Sequence, residues 1–221
     1  MRIALAIYFS SLLIAMGQSA PSAKEILESV RMRQATQQID LRGQLRENQI
    51  VIPFQLIQSG PTVRYIFSNP EESLQLQLGE NESRLDLVTR EGVEKIAPAQ
   101  LDHRVRGTGV TYEDLSLKFL YWTNAQVTGE ETIRTRPCWK LVLRPPNRQS
   151  QYSSLFLWVD KESGALMRME GFDWTGKNTK RFEVISAQKI ENRWFLKQMR
   201  IETLEPGTVK VRSRTYLEIK R

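Results

Sequence analysis

Residues 152–219 alternate between apolar and charged side chains in short blocks separated by turn residues, and this stretch limits the fold more tightly than any other. In its last block Val209, Val211, Leu217 and Ile219 fall on one parity, while Lys210, Arg212, Arg214, Glu218 and Lys220 fall on the other. That is the two-residue period of a strand with one dry face and one wet face. Residues 155–159 are apolar on both parities and are expected to be covered on both faces, and residues 160–164 follow as a glycine-containing hairpin loop. On the returning strand Ala165, Met167 and Met169 oppose Arg168 and Glu170. The pattern changes parity at Gly171, where a bulge or sharp bend is expected, and residues 175–177 and 205–207 turn the chain again. The whole stretch reads as a long, strongly bent antiparallel meander.

The same period governs the first third of the chain. Ile39, Leu41, Gly43 and Leu45 alternate with polar residues, and Ile50, Ile52, Phe54 and Leu56 return, with Pro53 arguing for an edge or a bulge. Val63, Tyr65 and Phe67, then Leu74, Leu76 and Leu78, then Leu85 and Leu87 continue the series. Strands at near-regular spacing joined by short turns predict one antiparallel sheet curling toward a barrel. Two helices break the rhythm. Ser22 and Glu25 form a capping box ahead of a helix reaching to about Ala35, with Ile26, Leu27 and Val30 on one face. A short helix-like piece over 98–105 precedes a second helix over 111–121, capped by Thr111 with Glu113 and Asp114 in its first turn. Leu115, Leu117, Phe119, Leu120, Tyr121 and Trp122 are too many for one narrow stripe, so this helix must be buried on most sides or must cover something apolar.

The beginning of the chain has a different character. Met1 and Arg2 precede an uncharged, mostly apolar run to Met16, and small residues follow to Ala20. This is the layout of a secretory signal occupying 1–20, cleaved within a few residues of its end, and it leaves 22–221 as a single domain exported to the periplasm. The chain carries 32 Lys and Arg against 25 Asp and Glu, a net charge of +7. Outside the cytoplasm such an excess points to anionic membrane surfaces or acidic partners rather than nucleic acid, and its regular placement on the wet parity also fits plain solvated strand faces. With Cys138 the lone cysteine, no internal disulfide can form, and its strand context makes it a small buried hydrophobe.

Nothing in the sequence asks for an enzyme or a cofactor. His103 stands beside Asp102 without clustered ligands at metal spacing, and there is no nucleophile elbow or phosphate loop. Glu113 with Asp114 and Glu71 with Glu72 are explained by a helix start and a turn. The remaining signal is apolar surface on helices laid over a bent sheet. Parity and helix position assign Tyr112, Leu115, Phe119 and Trp122 to the helical cover, and Ile52, Phe54, Met167 and Met169 to the sheet side of an apolar cavity that the helices do not fill. Burying an acyl chain of about fifteen methylenes at about 0.8 kcal/mol each is worth about 12 kcal/mol before ordering costs, with no catalytic residue required.

The segment Gly107-Thr-Gly-Val-Thr-Tyr-Glu-Asp-Leu115 with Tyr121-Trp122, followed by Leu157-Trp-Val-Asp160, Gly164-Ala-Leu-Met-Arg168 and Asp173-Trp-Thr-Gly-Lys177, resembles the bacterial outer-membrane lipoprotein-sorting (LolA-like) family in a poorly characterised branch. The resemblance extends over residues 22–221. It implies an α+β fold: a strongly curved antiparallel sheet forming an open, incomplete β-barrel, with helices as a lid on the concave side. It also implies a periplasmic carrier of lipid or lipoprotein acyl chains, whose partners would be transport components of the inner or outer membrane with peripheral membrane contact. The other expectation is an envelope sensor or scaffold that uses the same fold, with a filled concave side, to bind protein.

Overall fold

The computed structural model describes residues 20–190 and 193–220. The expected secretory signal lies outside the described residues. No described helix is long and apolar enough to cross a membrane.

The first helix, α1 (Ala23–Ala35), starts as expected: the Ser22 hydroxyl accepts from the Glu25 amide, and the Glu25 carboxylate accepts from the Ser22 amide at 2.7 Å. Satisfying two otherwise orphaned donors fixes where the helix begins. Its inward stripe is Ala23, Ile26, Leu27 and Val30. Six strands follow: β1 (Gln38–Glu47), β2 (Ile50–Ser59), β3 (Thr62–Phe67), β4 (Glu72–Leu78), β5 (Ser83–Thr89) and β6 (Gly92–Lys95). A crossing segment, residues 96–123, contains the short helix α2 (Tyr112–Ser116) and three 3-10 turns. Seven more strands complete the chain: β7 (Asn124–Ile133), β8 (Arg136–Arg144), β9 (Ser154–Asp160), β10 (Leu166–Phe172), β11 (Asn178–Ile190), β12 (Arg193–Leu204) and β13 (Val211–Lys220).

All thirteen strands belong to one antiparallel sheet in the spatial order β6-β5-β4-β3-β2-β1-β13-β12-β11-β10-β9-β8-β7. Each half is a meander, and the halves join where β1 pairs with β13, Leu45 opposite Leu217. Because β6 and β7 are the two outermost strands and do not pair, the barrel stays open. The crossing segment bridges that opening.

The devices that bend the sheet are unevenly distributed. Ladders between β1 and β6 run without a register shift. In the other half the register shifts at Val127/Gly129, Leu166/Arg168, Gly171/Phe172, Val184/Ser186 and Thr203/Leu204. Each extra residue bends its strand and increases local twist, so curvature is concentrated between β7 and β13. The bend expected at Gly171 is among them. There a Cβ would lie 2.3 Å from the Tyr152 ring, so close approach requires glycine.

Parity places the core. Leu141 and Leu143 on β8, Leu155, Leu157 and Val159 on β9, Met169 on β10 and Phe182 on β11 join the inward residues of α1 and the crossing segment in one cluster. The opposite face of the same strands carries a smaller cluster of Ile133, Cys138 and Trp158, with Phe156 and Met167 against it. Residues 155–159 are thus covered on both faces, as their composition required. On the outer side the cover is charged: Lys140 and Arg168 stack on Trp158, and its indole N–H donates to Glu131 at 2.9 Å.

Three local expectations need correction. The helix expected over 111–121 breaks at Leu117, which takes a left-handed φ of 52°, and the chain resumes as a 3-10 turn, Lys118–Tyr121. The break redirects the surplus apolar residues, so Leu115, Phe119 and Leu120 can all turn inward. Val209 lies before β13 in the 205–210 turn and is 89% exposed. Pro53 is an edge residue only locally: it faces Gln44 of β1, while pairing with β3 starts one residue later at Phe54.

Candidate functional site: the covered face of the sheet

Seven of the eight residues assigned to the site belong to one apolar body. Leu115, Phe119 and Trp122 come from the crossing segment, Phe54 and Met169 from the sheet, and all five are buried in the main cluster. Ile52 and Tyr112 pack against its margin. Phe54 sits edge-on to Tyr65 and Phe67, each ring 6.1 Å away, and its own ring covers Gly43, where a Cβ would meet it at 2.6 Å. Burial in this corner pushes the Tyr65 hydroxyl up to about 12. Met167 is the exception. The register shift between Leu166 and Arg168 turns it to the outer face, against the Trp158 cluster, so it is separated from Met169 by the thickness of the sheet.

The concave space that was expected to remain open under the crossing segment is occupied by these side chains. Two clefts mark its rim. One, about 430 Å³, is lined by Pro98, Ala99, Asp102 and residues 148–151; the other, about 40 Å³, lies between residues 82–85 and Lys118. None of the eight assigned residues lines either.

What distinguishes this face is how the crossing segment is fastened to it. Asp114, in the first turn of α2, sits 2.5 Å from the Lys180 ammonium of β11, with the two side chains 2% and 7% exposed. The same carboxylate accepts from the Thr111 amide at 2.8 Å and from the Tyr152 hydroxyl at 2.6 Å. Burial, and then the Asp114 charge, raises the Tyr152 hydroxyl well above the usual phenol value, so it remains a donor. Beside it the Glu113 carboxylate accepts from the Gln151 amide at 2.9 Å. Burial raises the Glu113 carboxyl above its ordinary value, against the hydrogen bonds from Ser150 and Gln151.

Further ties hold the rest of the segment. The Gly109 amide donates to Glu47 at 2.7 Å and to Thr215 at 3.0 Å, and Thr215 donates to Glu47. Arg106 spans Glu72 and the carbonyls of Asn69 and Pro70, and covers the Phe67 ring. From α1, Arg31 donates to the Leu120 carbonyl at 2.5 Å and stacks on Tyr121, whose hydroxyl donates to the Gly79 carbonyl. These partners come from β1, β4, β11, β13 and α1, so the segment is tied to both halves of the sheet.

Sequence reasoning found Thr111, Glu113 and Asp114 only as a helix start and missed Lys180, Tyr152, Glu47, Thr215, Arg31 and Arg106. A signal existed for three of them. Lys180 shares the inward parity of Phe182, Glu47 that of Leu45, and Thr215 that of Leu217 and Ile219. A charge or hydroxyl on a dry parity needs an internal partner. His103 is exposed, and the described residues contain no His, Cys, Asp or Glu group able to hold a metal ion.

A family model described as that of an uncharacterised protein matches residues 82–221. Among solved structures, a putative outer membrane lipoprotein-sorting protein domain from Vibrio parahaemolyticus matches over 90% of each chain with 15% identity and a TM-score of 0.69. A DUF1329 family protein from Desulfovibrio piger matches over 90% of each chain with 19% identity and a TM-score of 0.67. A LolA superfamily protein from Nitrosomonas europaea matches over 91% of this chain and 93% of that one, with 17% identity and a TM-score of 0.63. At such identities the likeness establishes the fold. None of the curated proteins matches the chain.

Proposed function

The chain belongs to the uncharacterised-protein family whose model it matches, and from that premise and its LolA-like fold we propose that it is a non-enzymatic periplasmic binding protein that takes up a lipid or lipoprotein acyl chain between the crossing segment and the sheet. The observation that supports this reading is the mode of attachment. A segment meant only to plug a core is held best by apolar packing, since burying an ion pair gains little over hydrophobic residues of the same volume. Here an apolar underside, Leu115, Phe119 and Leu120, is combined with a discrete set of polar ties centred on Asp114 and Lys180. Such ties have two definite arrangements, made or released, and so can act as a two-state fastening. Releasing them would lift apolar side chains off an apolar sheet and leave a groove that a methylene chain can refill.

The test is uptake of a fluorescent fatty-acyl probe by delipidated protein. Saturable uptake that is lost in Phe119→Asp supports the proposal. Absence of saturable uptake, or unchanged uptake in that variant with the fold intact, overturns it.

A second reading is favoured by the filled interior. With the concave face already occupied, the same fold serves as an envelope scaffold or sensor that binds protein on its outside. In that case no acyl probe enters, and mass spectrometry of what copurifies from the periplasm returns a protein and no lipid.

A further inference from the structure

β11 and β12 run past the strands on either side of them. β10 pairs with β11 only as far as Glu183, opposite Arg168, and β13 pairs with β12 only from Gln198, opposite Glu218. Yet β11 and β12 remain paired with each other out to Ile190 opposite Arg193. Residues 185–190 and 193–197 therefore form a two-stranded arm to which no further strand is paired among the described residues, and the Gln188 side-chain amide donates to the Ile219 carbonyl of β13 at its base. An isolated hairpin is marginal in water, so the arm must gain support elsewhere or serve a purpose that outweighs its cost.

The side chains on the arm indicate that purpose. Trp194 is 72% exposed. Lys189 faces it across the ladder and Ala187 faces Leu196, so strand alternation puts Trp194 and Leu196 on one face of the arm. Lys189 is exposed on that face, and Lys197 is exposed on the opposite face of the arm. At the base of the arm β13 ends at Lys220, paired with Arg42 of β1, and both are exposed without an acidic partner among the described residues. Nearby Glu218 is already taken up by Arg46, Gln44 and Gln198.

We propose that this arm is a membrane-contacting element. Trp194 and Leu196 seat at the headgroup level of an anionic phospholipid bilayer, while Lys189, Lys197, Lys220 and Arg42 meet the lipid phosphates. Tryptophan favours that depth because its ring is apolar and its N–H is polar, and lysines near an anionic surface add attraction that salt weakens. A bilayer fits the arm better than a protein partner does. A narrow projecting tip presents far less than the roughly 800 Å² per side of a standard protein interface, whereas lipid closes around a tip.

The inference goes beyond the acyl-chain reading and does not depend on it. The test is cosedimentation of the purified protein with vesicles of phosphatidylcholine alone or mixed with phosphatidylglycerol, at low and high salt, with quenching of tryptophan emission by brominated lipid. Binding is expected only to the mixed vesicles, weakened by salt. Trp194→Ser should abolish the quenching, and Lys189→Ser with Lys197→Ser should lower partitioning on the order of tenfold or more. Trp174→Ser, a change at the other exposed tryptophan, should leave binding unchanged. Circular dichroism and acyl-probe uptake in the same variants show that the fold and the covered face are intact. Failure to bind mixed vesicles, binding that survives Trp194→Ser, or capture of an acidic protein in place of lipid overturns the inference. Vesicle binding without acyl uptake leaves it standing and removes the other proposal.

Discussion

Lys180 of β11 and Asp114 of α2 meet 2.5 Å apart in the core, joining the crossing segment to the strand that faces it. The carboxylate is also held by Tyr152 and by the Thr111 amide, so the lysine is the cation that balances an otherwise stranded buried charge. Removing one partner from such a pair costs more than removing both. Lys180→Met is therefore expected to lower unfolding free energy by about 3–5 kcal/mol, and the double variant Asp114→Leu with Lys180→Met should recover part of that loss. Urea denaturation of the two single variants and the double decides it; a loss in the double equal to the sum of the two single losses would show that the two groups are not coupled.

Arg31 should govern the other end of the crossing segment. Its hydrogen bond to the Leu120 carbonyl and its stacking on Tyr121 link α1 to the 3-10 turn. Arg31→Ala is expected to cost about 1–2 kcal/mol and to speed acyl-probe uptake by loosening this corner. Faster hydrogen exchange at the Leu120 and Trp122 amides would accompany it, since both close that turn.

Glu113 sets a pH dependence whose sign can be stated. Burial raises its carboxyl above the ordinary glutamate value, so the folded protein holds this proton more tightly than the unfolded chain does. Its contribution favours folding below the unfolded value and is lost as pH rises through the raised one. Glu113→Gln keeps an acceptor for the Gln151 amide but removes the titration. Its stability relative to the parent is expected to improve as pH rises from the ordinary glutamate range toward neutrality, measured by urea titration at several pH values. A difference independent of pH would refute the assignment.

Asp160 works in the opposite direction. Burial alone would raise its carboxyl, but Arg136 at 2.7 and 2.9 Å and the Ser163 amide and hydroxyl outweigh burial and hold it below the usual aspartate value. A depressed carboxyl stabilises above its unfolded value and loses that contribution as pH falls toward the folded one. Asp160→Asn should flatten the acid limb of the stability profile below about pH 4. The thermal midpoint followed through that range is the measurement.

Gly171 should tolerate no side chain. A Cβ there would overlap the Tyr152 ring, and moving the ring strains the hydroxyl that serves Asp114. Gly171→Ala is expected to cost about 1–3 kcal/mol, read from the shift in urea midpoint.

Much of the sheet could be read from the sequence because strand parity is a local property. The alternation in Leu74, Leu76 and Leu78, the Ser22 capping box and the loop glycines at 164 and 176 each report their structure within a few residues. What the sequence concealed was created by distant partners. Leu117 adopts a left-handed backbone where the chain breaks between buried Leu115 and buried Phe119 and Leu120. Met167 changes faces because of a bulge whose neighbours, Leu166 and Arg168, carry no glycine or proline to announce it. The ties of the crossing segment bring together residues such as Glu47 and Thr215, which are 168 positions apart. The filled concave face could not be inferred from strand patterns, which report which side is dry and not how much room lies there.

The pairing of β1 with β13 has a consequence for assembly. Arg42 meets Lys220 across nearly the whole length of the chain, so neither meander can be stitched to the other until the segment Val211–Lys220 is present. Contacts so remote in sequence form slowly, because a very large loop must close before they repay its entropy. Until that stitch is made, β1 and β12 each offer a bare ladder to any neighbouring polypeptide. During maturation the molecule is accordingly most exposed to aggregation along its midline, and an escort that shields those two ladders would be expected to raise the yield of native protein.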